Sequence, residues 1–236
     1  MERADAVLKL AAGNPSRGCG VALPRRTRQK TLILGAGLFA QAVADLLSSV
    51  ADYELIGFVE GLDRERCRRP LLGLPVYWID EVSSLCGSCK ALCAVGATER
   101  KAFIERARAQ GLAFETFVHP TVQISPTTTL GEGCIVCAGT LMAAYTTVGQ
   151  HVILNRGSLI GHHVRIGDFV TIAPGANIAG KTTIGPCTYV GIGAIVIDEI
   201  SIGSHCLIAA GAVVTRDVPD GARVAGVPAR PMDAAR

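Results

Sequence analysis

Val148-Gly149-Gln150-His151-Val152-Ile153-Leu154-Asn155-Arg156-Gly157-Ser158-Leu159-Ile160-Gly161-His162-His163-Val164-Arg165-Ile166 sets an aliphatic side chain at every sixth residue: Val148, Leu154, Ile160, Ile166. The same step gives Val118, Ile124, Leu130, Val136 and Met142 before this stretch. After it come Ile172, Ile178, Ile184, Val190, Val196, Ile202, Ile208 and Val214. These are 17 stops in register without an insertion. With about a third of residues drawn from Ile, Leu, Val and Met, chance gives such a run roughly once in 10⁸ for a fixed phase. A period of six matches neither the helical 3.6 nor the 2 of a plain strand. It fits short strands of one hexad each, joined by tight turns, with the aliphatic residue pointing inward once per strand. Three faces close a coil of about 18 residues, and the coils stack by parallel pairing into a prism roughly 25 to 30 Å tall. Glycine often follows the stop, as at Gly161 and Gly191, and the fourth residue after it is often small, as at Ala176, Thr182, Ala194 and Ala212.

The chain before this prism has a different rhythm. Residues 1–29 carry turn formers and the basic cluster Arg25-Arg26-Thr27-Arg28, and read as a solvated, disordered extension. Thr31-Leu32-Ile33-Leu34 is a buried-strand run, followed by Gly35-Ala36-Gly37-Leu38-Phe39-Ala40 and a helical pattern from Ala40 to Leu47. Glu54 to Val59 reads as a second strand with Glu60 at its carboxyl end. Strand, glycine turn, helix, strand and acid is the order of a dinucleotide-binding unit: the glycines admit a pyrophosphate to a helix N-terminus and the acid holds a ribose. A tight turn that binds no phosphate has the same pattern. Further strands are expected at 74–77, 92–96 and 113–118, with a helix from Thr98, as its cap, to Gln110. About four strands make half of a dinucleotide fold, too little for a self-contained dehydrogenase. The reading is therefore an α/β half-Rossmann domain over 30–117, a β-helix over 118–214 and a tail over 215–236.

Composition agrees with that division. The 236 residues are 49% hydrophobic but only 5% aromatic, with 27 glycines, as a narrow prism filled by Ile and Val requires. No apolar run approaches the length of a membrane span, and the net charge of +3 is too near neutral to argue for nucleic acid, so none is expected as a partner. Nine unevenly placed cysteines suit reduced thiols in the cytoplasm. No signal peptide opens the chain: Met1–Leu10 carries Glu2 and Asp5 and no long apolar core follows. Cys86-Gly87-Ser88-Cys89 with Cys93 has zinc or redox spacing, but a zinc site needs a second pair, and Cys134/Cys137 is already explained by the rungs. No metal is expected.

Two histidines, His162 and His163, occupy the outward part of one hexad, and an imidazole can take a proton from an amine or hydroxyl attacking an acyl carbonyl. Around them the chain reads Asn155-x-x-Ser158-x-Ile160-x-His162-x-x-x-Ile166-Gly167-Asp168-Phe169. With His119-Pro120, Ala173-Pro174-Gly175-Ala176, Thr215-Arg216-Asp217-Val218-Pro219 and Gly226-Val227-Pro228-Ala229, this resembles the hexapeptide-repeat acyltransferases of the sialic acid O-acetyltransferase and nucleotide-amino-sugar N-acetyltransferase family. The likeness covers about residues 30 to 232. It implies a left-handed parallel β-helix, a homotrimer, acetyl-CoA lying between neighbouring prisms, and acetylation of a sugar or sugar nucleotide, an amino group being preferred to a hydroxyl. It also implies His162 as catalytic base, an oxyanion donor near Gly180, and coenzyme contacts at Thr171, Ile192 and Ala210. Gly37, Leu38 and Phe39 fall on the loop that holds the sugar nucleotide, with Glu60 and Gly61 at the base-contacting acid pair.

The chain departs from that family pattern in several places. His163 stands where an acid usually follows the base, and is the second candidate catalytic residue. Thr171 replaces a coenzyme-contacting histidine, Gly37-Leu38-Phe39 replaces a Gly-Gly-His or Ser-Gly-His loop, and Glu60-Gly61 replaces an Asp pair. Three other readings compete. A γ-carbonic-anhydrase-like metal enzyme needs histidines repeating at one or two coils, but 18 residues either side of His162 stand Gly180 and Ala144. A nicotinamide-dependent oxidoreductase leaves the prism without a task. A non-catalytic trimeric ligand-binding scaffold would bind without turnover.

Overall fold

The computed structural model describes residues 28–96 and 100–232, so the expected extension up to residue 27, the Thr98 cap and residues 233–236 lie outside the described residues. β1 (Gln29–Leu34) begins two residues before its apolar run, because Gln29 and Lys30 already pair with Tyr53 and Glu54 of β2 (Tyr53–Glu60). Between them α1 (Leu38–Ser48) buries Ala40, Val43, Ala44 and Leu47, the i, i+3, i+4, i+7 stripe of a helix lying on a sheet. β3 (Val76–Trp78) and β4 (Lys90–Cys93) complete a parallel sheet in the order β3-β2-β1-β4, and α2 (Arg100–Ala109) packs on its other side. The strand expected over 113–118 does not extend this sheet. Phe114 makes a single bridge to Ala91, and the chain then turns so that β5 (Phe117–Val118) pairs with Ile135–Val136 of the prism.

From Val118 to Val214 every aliphatic stop closes a two-residue strand. Leu154 pairs with Val136 below and Ile172 above, and Ile160 with Met142 and Ile178, so partners lie one coil apart as the hexad step requires. Stops from Val136 onward are buried in one column, whereas Val118, Ile124 and Leu130 are half-buried because no coil lies beneath the first. Each buried aliphatic side chain contributes about 1.5–3 kcal/mol of transfer free energy. The glycines after the stops have a steric cause. A Cβ on Gly161 would lie 2.7 Å from the Gly180 nitrogen, and one on Gly191 2.6 Å from that of Ala210, because the next coil's turn crosses there.

The residue before each stop points outward, and these residues sort the three faces. Phe117, Ile135 and Ile153 are buried in a core shared with Ile33, Val43 and Phe58, so the N-terminal sheet-and-helix unit covers this face. Thr129, Thr147, Arg165, Thr183 and Ser201 line a polar face, each at least partly exposed. Gln123, Leu141, Leu159, Asn177, Ile195 and Val213 line the third, on which Leu141, Leu159 and Ile195 are exposed.

Candidate active site

His162 and His163 lie in the turn between the apolar and the polar face, and both are exposed. His163 takes the left-handed backbone position of the turn, φ 59°, and its N–H donates to the Ala144 carbonyl at 2.9 Å. Its ring lies against that of His162, the two Nδ1 atoms 3.0 Å apart and the rings near perpendicular at 87°. Tyr145, one coil below, packs against His163 with ring centroids 4.9 Å apart. Gly180 is one coil above His162, and a Cβ there would fall 2.7 Å from both Cε1 and Nε2 of the imidazole. In the same turn, Ala179 N–H donates to Val196 O and Lys181 N–H to His162 O, while Gly180 N–H has no partner among the described residues. An exposed imidazole and an unspent backbone donor thus meet at one turn.

Ile192 and Ala210 occupy a different turn column, between the apolar face and the covered face. Ile192 is 58% exposed, and its carbonyl accepts from Gly211 N–H at 2.8 Å. Here every left-handed turn position is glycine: Gly139, Gly157, Gly175, Gly193 and Gly211. At the His163 turn column the equivalent positions are Tyr145, His163, Lys181 and Glu199. Positive φ alone therefore does not dictate glycine. A Cβ on Gly157, Gly175, Gly193 or Gly211 would meet nothing, so this edge is a bare track along the prism.

Thr171 is buried rather than on that track. Its hydroxyl accepts from Arg100 Nη1 at 2.8 Å and donates to the Gly96 carbonyl at 3.2 Å. Arg100, only 1% exposed, also donates to the carbonyls of His151, Phe169 and Val170 at 2.8 to 3.3 Å. It joins α2 to the prism at the seam. Beside it, Arg108 donates to Nε2 of buried His151 at 3.0 Å. A guanidinium only donates, so the His151 proton sits on Nδ1, which has no partner among the described residues. Burial first, then Arg108 and Arg100, hold His151 down at about 4.

The glycine loop after β1 opens on a cavity of about 660 Å³, lined by Gly37, Leu38, Phe39, Glu60, Gly61, Phe103 and other residues. Gly37 precedes the first turn of α1, which presents its free N–H groups there. Glu60 is buried, and its Oε1 accepts from the N–H of Gly61 at 2.8 Å and of Leu62 at 2.9 Å, while Arg66 lies 3.4 Å from Oε2. Oε1 thus serves its own turn, while Oε2 faces Arg66. Gly61 accommodates Phe103, whose ring edge occupies the space of a Cβ. Leu38 and Leu62, 84% and 94% exposed, flank the mouth.

Cys86 and Cys89 donate their thiols to the carbonyls of Gln110 and Leu85, and burial pushes Cys93 up to about 11. Among the described residues no group of three His, Cys, Asp or Glu side chains is placed to hold a metal ion. Nor is any described helix long and apolar enough to cross a membrane. Arg100, the His151 contact and the cavity residues Phe103 and Arg106 had no signal in the sequence reading, since each acts across the seam or from α2.

Comparison with protein-family models and with curated proteins gives no match. Solved structures do match. The acetyltransferase domain of PglB from Neisseria gonorrhoeae FA1090 is 31% identical, with a TM-score of 0.77 over 87% of this chain and 100% of that one. It has also been solved with acetyl coenzyme A. Perosamine N-acetyltransferase from Caulobacter crescentus, in a variant with a histidine replaced by asparagine and bound to CoA and GDP-perosamine, is 28% identical with a TM-score of 0.80, over 87% and 97%. WeeI from Acinetobacter baumannii AYE is 26% identical with a TM-score of 0.80, over 86% and 100%.

Proposed function

The chain belongs to the hexapeptide-repeat acyltransferases of the sialic acid O-acetyltransferase and nucleotide-amino-sugar N-acetyltransferase family, with its left-handed parallel β-helix, and from that premise we propose that it moves an acetyl group from acetyl-CoA to the amino group of a nucleotide-linked sugar. One observation carries the reading: exposed His162 standing against Gly180, whose N–H has no partner among the described residues. His162 Nε2 takes a proton from the amine as its nitrogen bonds to the thioester carbonyl carbon, the Gly180 N–H donates to the developing oxyanion, and as the C–S bond breaks the imidazolium gives that proton to the departing thiolate, which leaves as coenzyme thiol. Perosamine N-acetyltransferase, solved with CoA and GDP-perosamine, supports a coenzyme A thioester as donor and a nucleotide-linked amino sugar as acceptor.

On this reading 30–117 is the sugar-nucleotide domain and 118–214 the acyltransferase domain. The cavity lined by Gly37, Leu38, Phe39, Glu60 and Gly61 takes the acceptor. Acetyl-CoA lies along the bare glycine track past Ile192 and Ala210, with Thr171 behind it on the seam. His162 and that track border opposite edges of the same apolar face, so one prism does not bring them together. A homotrimer, in which Leu141, Leu159 and Ile195 are covered by a neighbour, would bring one subunit's His162 to the next subunit's track. No metal, nucleic acid or membrane span enters this account, and the cytoplasm, where acetyl-CoA and sugar nucleotides occur, is its place of action.

Thiol release from acetyl-CoA across a panel of nucleotide-linked 4-amino sugars and their hydroxyl counterparts tests the proposal. Turnover with the amines, and an acetylated sugar by mass spectrometry, is expected. Coenzyme binding without transfer to any acceptor would favour the scaffold reading instead.

A further inference from the structure

The 3.0 Å contact between the Nδ1 atoms of His162 and His163 constrains where protons sit. Two ring nitrogens at that distance form a hydrogen bond only when one carries a hydrogen and the other a lone pair. A neutral pair therefore has two arrangements. With the hydrogen on His162 Nδ1, His162 Nε2 is the free lone pair. With it on His163 Nδ1, His162 Nε2 carries a hydrogen and accepts nothing. Only the first arrangement leaves a free lone pair on the ring that stands against Gly180.

We propose that His163 is the positioning residue of the site: its Nδ1 accepts the His162 Nδ1–H and so holds His162 in the tautomer whose Nε2 is free. The proposal rests on the reading of His162 as the base. After proton uptake, the His162 imidazolium keeps the same bond, donating from Nδ1 to the still neutral His163. A carboxylate could do this job, but among the described residues none is hydrogen-bonded to either ring. Lys181, in the turn one coil above, is itself paired with Glu199 at 2.7 Å. The turn geometry makes the arrangement possible. His163 holds the left-handed position of its turn at φ 59° with its ring against that of His162, and Tyr145, one coil below, packs against the His163 ring. His163 never touches the reacting atoms, so it acts through His162.

His163→Gly is the suitable deletion, because glycine accepts a φ of 59° without strain and already fills this position in other turns. His163→Asn restores an acceptor, its Oδ1, on a residue that also tolerates this backbone region. The expected result is a fall in kcat of at least about 10-fold for the glycine variant, with KM for acetyl-CoA unchanged, and recovery to within about 3-fold for the asparagine variant. A merely structural role would leave kcat intact in a folded glycine variant. Unchanged kcat there, or asparagine failing as badly as glycine, overturns the proposal. Nitrogen-15 NMR of the unliganded wild-type enzyme supplies a readout independent of any acceptor. His162 protonated on Nδ1 and bare at Nε2 supports the proposal even if no acetyl transfer is found, in which case it is the proposed function that fails. His162 protonated on Nε2, with the Nδ1 proton on His163, overturns it.

Discussion

The imidazole of His162 covers the Cα of Gly180, with Cε1 and Nε2 each 2.7 Å from the place a Cβ would take. Gly180 is not in the left-handed region, so alanine there meets no backbone penalty, only the ring. Gly180→Ala is expected to displace the base while preserving the fold. We predict a loss in kcat on the order of 100-fold, the usual contribution of a positioned base. Steady-state kinetics beside a thermal melt checks this; a melt close to wild type with kcat unchanged would contradict it.

His151 gives the protein a pH-dependent seam. Its folded value of about 4 lies below the ordinary 6.5, so the unfolded chain binds the proton more readily. The contribution is therefore fully present above about pH 6.5 and is lost as pH falls toward 4, by up to about 3 kcal/mol. His151→Leu should lose less stability than wild type between pH 7 and pH 4.5. Urea unfolding of both proteins at the two pH values measures the difference, and equal losses would show that the seam does not titrate.

Removing the Arg100 guanidinium takes the donor from the His151 and Phe169 carbonyls at the seam, and one partner each from the Val170 carbonyl and the Thr171 hydroxyl, which keep Ile153 N–H and the Gly96 carbonyl. Arg100→Ala is expected to cost about 3 kcal/mol or more in urea unfolding. Arg100→Lys should restore little, since a single ammonium does not reproduce the planar fork that spans these acceptors. A lysine variant as stable as wild type would mean that charge alone suffices.

The exposed column Leu141, Leu159 and Ile195 predicts a change of assembly. Leu159→Asp places a charge in the middle of the proposed interface, which a neighbouring apolar surface cannot satisfy. Light scattering should show a trimer for wild type and a monomer for the variant, with turnover lost because each site draws on two subunits. A fully active monomer would remove the shared site.

Much of this molecule was legible because the hexad step is a strong constraint. It gave the buried column from Val136 to Val214 and stacked His162 under Gly180, since residues 18 apart share a place on successive coils. The same register held more. The residue before each stop, Leu141 or Thr147 or Ile153, already distinguishes the three faces. The seam was not legible. Arg100 reaches carbonyls 51 to 70 residues away, a contact that no local pattern encodes. Glu60 reads as a ribose ligand from the βαβ order; that its Oε1 also caps its own turn is a contact the order does not encode. The His162–His163 contact depends on the rotamers of two adjacent side chains in a turn, which no hexad pattern encodes.

The most direct test of the central claim compares wild type with His162→Ala, following thiol release from acetyl-CoA with nucleotide-linked 4-amino sugars and coenzyme affinity by calorimetry. The account predicts that the variant binds acetyl-CoA as wild type does and loses acetyl transfer by about 10²-fold or more. Transfer left intact in His162→Ala would contradict it and place the base elsewhere.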